Sequence, residues 1–155
     1  MFPQVADRAN YYYPEDGLLQ AYGVVQDDEI RSPNHLDVHN EKCLLVVKNG
    51  LATGTTVGRC NGLESFTRVY DEYGINQTSV EIAVLSYDKN HGKFSDNGDS
   101  GSIVLARDGR IVGILTGGAR GPTDGTDITY VTPYWWVEKQ IKEKYPGCFL
   151  YQVDA

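Results

Sequence analysis

The residues most able to do chemistry in this chain are Gly98-Asp99-Ser100-Gly101. Glycines on both sides of Asp99-Ser100 allow turn geometries that other residues resist. A serine held in such a turn can present its hydroxyl outward. The N–H groups of Gly98 and Ser100 can then face one point and stabilise an oxyanion. Asp99 can order the turn by pairing inward. Taken alone, the tetrapeptide is equally a plain hairpin loop. The downstream residues add weight. The run Gly113-Ile114-Leu115-Thr116-Gly117-Gly118 opens a strand into a glycine-lined edge. A peptide can pair with an edge of that kind by strand addition. A serine nucleophile beside it suits peptide-bond hydrolysis.

The elements that must position this segment read as short strands. Seventeen glycines in 155 residues exceed the ordinary share of about 7%. They punctuate runs rich in Val, Ile, Leu, Thr and Tyr, the pattern of an all-β domain. Cys43–Lys48 is a buried strand closed by the turn pair Asn49-Gly50, and 53–60 is a second, closed by Asn61-Gly62. Phe66–Tyr70 and Thr78–Leu85 come next. Ser102–Ala106 and Arg110–Thr116 flank Arg107-Asp108-Gly109, where the Asp-Gly pair predicts a hairpin. Asp127–Val131 gives the last strand. The period then changes. Pro133–Tyr145 predicts a helix, with Trp136, Val137, Gln140, Ile141 and Lys144 near the side that docks on the strands.

The first forty residues are less regular. Leu18–Val25 can hold one strand, bent at Gly23, and 26–41 reads as a polar connector. The tyrosines at 11–13 read as an aromatic strap on the outside of the domain rather than a ligand site.

Composition narrows the function. A net charge of −7 argues against a nucleic-acid partner. Lys42, Lys48, Arg59 and Arg68 are too dispersed to form a basic stripe. No apolar run reaches the roughly 18 residues of a membrane span, so no membrane partner is expected. No phosphate-binding loop is present. Cys43, Cys60 and Cys148 lack metal-site spacing and make no disulfide framework. They read as buried small thiols, which favours a reducing compartment such as the cytoplasm. His35 and His39 form an incomplete ligand pair. No metal or organic cofactor is expected.

Together these residues resemble the C-terminal half of a trypsin/chymotrypsin-like serine peptidase. The nearer likeness is to the HtrA and bacterial glutamyl-endopeptidase type and to fungal members of that superfamily. Gly98–Gly101 resembles the nucleophile motif, Ile111–Ile114 the strand after it, and Thr116–Gly118 the wall of the primary specificity pocket. Tyr130–Pro133 before an apolar helix resembles the family's ending, and Val47–Gly58 the opening hairpin of its second barrel. The likeness spans residues 43–145. It implies a six-stranded antiparallel barrel of Greek-key type with a C-terminal helix over 43–155, preceded by an extension and interbarrel connector over 1–42. It implies Ser100 as nucleophile and the Gly98 and Ser100 N–H groups as the oxyanion hole. Substrate would contact Phe94, Ser95, Asp96, Asn97, Thr116, Gly117 and Gly118. An ungapped count puts Phe94 at the pocket floor, which leaves specificity open.

A peptidase of this kind needs a histidine base and an aspartate to orient it. The family carries both on a first barrel, and about forty residues before the strands are too few for one. His35, His39 and His91 read as connector or surface residues. The implied partners are an N-terminal barrel from the same precursor and a peptide or protein substrate. If that barrel is absent, the apolar face it would cover makes self-association plausible. The rivals are a catalytically inactive peptide- or protein-binding domain of the same fold, and an unrelated small barrel whose Gly-Asp-Ser-Gly loop is coincidental.

Overall fold

The computed structural model describes residues 4–8, 15, 20–70, 73–74, 76–88, 90–119 and 127–150. Two short helices come first, α1 (Val5–Arg8) and α2 (Asp27–Arg31), then a two-residue strand β1 (His35–Leu36). Strands β2 (Lys42–Gly50), β3 (Gly54–Cys60), β4 (Glu64–Tyr70) and β5 (Asn76–Ser86) lie next along the chain. After the Ser100 loop come β6 (Ile103–Ala106), β7 (Ile111–Ala119), β8 (Ile128–Pro133) and the helix α3 (Tyr134–Lys144).

All the strand pairings are antiparallel, and six strands close a barrel. The order runs β2-β3-β5-β8-β7-β6, and β6 pairs back with β2. The expectation of an antiparallel six-stranded barrel with a C-terminal helix holds. Strand β4 stands outside this ring as the hairpin partner of β5, and β1 pairs with the outer end of β2. The ring has two short seams. Strand β3 meets β5 only at Gly58↔Ser86 and Arg59↔Leu85. Strand β2 meets β6 at Val46↔Ala106, Val47↔Leu105 and Lys48↔Val104.

The core arises from strand alternation. Leu44 and Val46 join Val84, Val104, Val112 and Val131 in one buried cluster. Lys48 continues the Leu44–Val46 side of β2 and is itself buried. A lysine therefore closes a row of core residues. Burying these apolar side chains contributes about 1.5–3 kcal/mol each.

Several expectations change in detail. Residues 20–25 form no strand. Only Val24 bridges Ile111, and Val25 N–H donates to the Ile111 carbonyl at 2.9 Å. Leu18 and Leu19 lie outside the described residues, as do the tyrosines at 11–13. The connector is not featureless, because α2 forms behind a Gln26–Glu29 capping box and buries Ile30. The paired stretch of β2 runs through Asn49-Gly50, and the turn falls on 51–53. Cys43 and Cys60 are buried, but Cys148 is exposed beyond the helix. Helix α3 buries none of its residues fully. Trp135 packs on the core, whereas Trp136 and Ile141 face solvent. The docking side is rotated from the one the spacing indicated. Among the described residues no helix is long and apolar enough to cross a membrane.

Candidate active site

Ser100 sits on the loop between β5 and β6, and its side chain is exposed. The flanking glycines use their freedom: Gly98 has φ 103° and Gly101 φ 89°, values that other residues adopt only under strain. Backbone bonds fix the turn at both ends. Asp99 N–H donates to the Asp96 carbonyl at 3.1 Å, and Ser102 N–H to the Asp99 carbonyl at 3.1 Å. The turn is also stitched to β7. Gly101 N–H donates to the Leu115 carbonyl at 2.8 Å, and Leu115 N–H to the Ser102 carbonyl at 2.9 Å. Among the described residues, neither the Gly98 and Ser100 N–H groups nor the Ser100 hydroxyl has a hydrogen-bond partner.

Asp99 points the other way, into the protein, and is fully buried. Its Oδ1 accepts from the N–H groups of Ala52 at 2.8 Å and Thr53 at 3.2 Å. Its Oδ2 accepts from the Thr53 hydroxyl at 2.7 Å and from Asp96 N–H at 3.0 Å. Lys48 Nζ lies 3.2 Å from Oδ2, and both side chains are wholly buried. Lys48 also donates to the Thr53 hydroxyl and, at 3.0 Å, to the Gly54 carbonyl. The Phe94 ring covers the ammonium at 5.8 Å. Burial pushes the Asp99 carboxyl up, but the Thr53 hydroxyl and the Asp96, Ala52 and Thr53 N–H groups outweigh it and hold it well below the usual carboxylate range. Gly50 passes so close that a Cβ there would collide with the Asp99 carboxylate. The β2–β3 turn is thus clamped onto the Ser100 loop.

A pocket opens beside Ser100. Ser95, Asp96, Asn97, Gly117 and Gly118 line it. Ser95 Oγ is 2.6 Å from Thr129 Oγ1, which ties that wall to β8. Thr116 stands outside the lining and donates from Oγ1 to the Tyr130 carbonyl at 3.3 Å. Phe94 is also elsewhere. It is buried in the core, within reach of Gly58 and Val84, and its carbonyl accepts from the Thr56 hydroxyl at 2.6 Å. Lys93, Leu115, Ala119 and Asp127 complete the lining. Nothing in the sequence pattern marks these four as pocket residues.

Sequence reasoning also missed the clamp. Lys48 was legible as a strand end, not as the counter-ion of Asp99. The available signal was parity, since Leu44, Val46 and Lys48 share one face of an alternating strand.

Among the described residues, no histidine lines the Ser100 pocket. His91 Nδ1 lies 2.6 Å from Asp88 Oδ1 on an exposed loop. The backbone N–H of His39 donates to Asp37 Oδ1 at 2.7 Å, and Asp37 Oδ2 is taken by Arg59 at 3.0 Å. His35 opens β1, opposite Cys43.

No protein-family model matches the chain, and no curated protein does. Among solved structures it is similar to the crystal structure of a Cellulomonas bogoriensis chymotrypsin, at TM-score 0.42 and 23% identity. That alignment covers 66% of this chain and 47% of the other, so this chain spans about half the length of the structure it matches.

Proposed function

We propose that this chain is the nucleophile-bearing half of a serine endopeptidase. The observation that carries the reading is Ser100 itself. It is exposed on a turn anchored by a buried aspartate, its N–H and that of Gly98 are unpaired among the described residues, and a pocket lies beside it. Residues 43–155 would form the catalytic barrel and 1–42 the connector. The motifs at 98–101 and 111–118 make the HtrA and glutamyl-endopeptidase type the branch we assign.

In the assembled enzyme, a histidine oriented by an aspartate accepts the Ser100 proton as Oγ attacks the scissile carbonyl. Both groups come from an N-terminal barrel of the same precursor. The Gly98 and Ser100 N–H groups stabilise the tetrahedral oxyanion, each strong donor contributing about 3–4 kcal/mol. The base returns the proton to the leaving amine, and water releases the acyl group from Ser100. The substrate backbone pairs along Gly117-Gly118, and one side chain enters the pocket.

One observation favours a second reading. The Ser100 hydroxyl has no base among the described residues, which suits an inactive peptide-binding domain of the same fold.

Intact-mass analysis of natively purified protein, before and after a small neutral fluorophosphonate, separates the two. The peptidase reading expects a companion chain and a single adduct that disappears in Ser100→Ala. A lone chain of 17.2 kDa that stays unlabelled refutes activity for that form and leaves the binding domain.

A further inference from the structure

We propose that two copies of this chain associate through β4, whose outer edge pairs antiparallel with the same edge of the second copy about a two-fold axis at Phe66. The inference is independent of what Ser100 does.

Strand β4 stands outside the barrel ring and, among the described residues, pairs with no strand but β5. Its second edge carries no ladder there, which leaves a row of backbone N–H and C=O groups able to template another strand. Devices that ordinarily guard such an edge are missing. Residues 64–70 include no proline, glycine or lysine. Their register with β5 runs from Glu64↔Ile82 to Tyr70↔Asn76 without a bulge. Phe66 is 76% exposed and lies directly opposite Val80, which is 42% exposed. The hairpin thus offers solvent an apolar cross-strand pair beside an open edge.

The charge pattern selects a second copy as the occupant. Glu64-Ser65-Phe66-Thr67-Arg68 reads acidic, hydroxyl, aromatic, hydroxyl, basic, so the run is complementary to its own reverse. With the two Phe66 residues facing each other, Glu64 of each copy lies opposite Arg68 of the other, and Ser65 opposite Thr67. Only this antiparallel register sets Glu64 against Arg68. Residues 64, 66 and 68 share one face by alternation, so both ion pairs flank the aromatic pair on the same side of the sheet. The two Val80 side chains extend that apolar row across four strands. Glu64 and Arg68 are exposed. Glu64 Oε1 already accepts from Arg31 at 2.6 Å, and Arg68 has a contact within its own chain. A carboxylate accepts from more than one donor and a guanidinium carries several, so neither is exhausted. A contact of this size makes a weak, reversible dimer.

Sedimentation equilibrium of the full chain over a concentration series tests this. The parent should dimerise reversibly. Arg68→Glu sets carboxylate against carboxylate at both positions, and Glu64→Lys sets cation against cation. Each alone should weaken self-association about tenfold or more, because two cross-strand pairs change sign at once. Mixed in equal amounts, the two variants should form a heterodimer about as tight as the parent dimer, since every pair is then opposite in charge. Phe66→Ser, at an exposed position, should also weaken the dimer and decides the matter if a charge variant fails to fold. A parent chain still monomeric at roughly 1 mM overturns the proposal and leaves the edge to a strand of another protein. A dimer undiminished by Phe66→Ser overturns it and places the contact on another face. Charge variants that each dissociate yet do not pair when mixed overturn the register.

Discussion

Replacing Lys48 by methionine tests whether the buried ion pair holds the Ser100 loop. The substitution keeps most of the apolar stem that packs under Phe94 and removes the ammonium. Breaking a buried pair by deleting one partner costs about 3–5 kcal/mol. Asp99 keeps four donors, from Ala52, Thr53 twice and Asp96, so the lower end applies, about 3 kcal/mol. The Gly54 carbonyl also loses a donor, which offsets part of that moderation. At about 2–4 °C per kcal/mol for a domain of this size, Tm should fall by roughly 6–12 °C. Urea unfolding followed by tryptophan fluorescence gives the free energy directly. Asp99→Asn and the double variant complete a thermodynamic cycle. The pair should show a coupling above about 1 kcal/mol, because the two groups are in contact. A Lys48→Met protein within about 0.5 kcal/mol of the parent, the range of ordinary surface substitutions, would refute the argument.

Two further outcomes are expected from the same interior. Asp99 has a folded-state pKa below its unfolded value, near 4. Its contribution to stability is therefore complete above about pH 4 and is lost as the pH falls from there toward the folded pKa. Unfolding free energy measured between neutral pH and pH 2 should drop below pH 4, and the drop should be smaller in Asp99→Asn. Thiol alkylation should label Cys148 alone in the native protein and all three cysteines in denaturant. Cys60 is buried, and burial pushes its thiol up to about 12. Rapid native modification of Cys60, read by peptide mass, would contradict the closed core.

What could be read from the sequence was what local chemistry decides. Asp108-Gly109 forces its hairpin because Gly109 takes φ 87°, and the apolar strands around it alternate or run continuously as buried strands do. The extra length of β7 was hidden. Gly117 and Gly118 have poor strand propensity and are held by their register with Tyr130 and Thr129. Helix α2 was hidden because five residues give no periodicity, and its support is a salt bridge of Glu29 with the distant Arg110 at 2.7 Å. The Ser100 turn was legible from its glycines. Its anchor was not, because Lys48 and Asp99 stand far apart in the chain and meet only when the barrel closes. Asp127 looked like the first residue of a strand. Only the packed structure shows that it lines the pocket with one oxygen unpaired.

The two short seams of the barrel bear on how Ser100 is held in time. The β2–β3 hairpin carries Lys48, Thr53 and the Ala52 N–H, so most of the Asp99 anchor travels with it. Its attachment to the remaining ring is two register pairs with β5 and three with β6. Leu44, Val46 and Cys60 of the same hairpin sit in the buried core, so it lifts only when that core opens. When it lifts, Asp99 loses its counter-ion, and the Ser100 turn keeps its own backbone bonds and its stitches to β7. Amide exchange along the hairpin and the anchoring of the Ser100 turn are thereby one equilibrium. Whatever presses β2–β3 down from outside sets that equilibrium without touching Ser100.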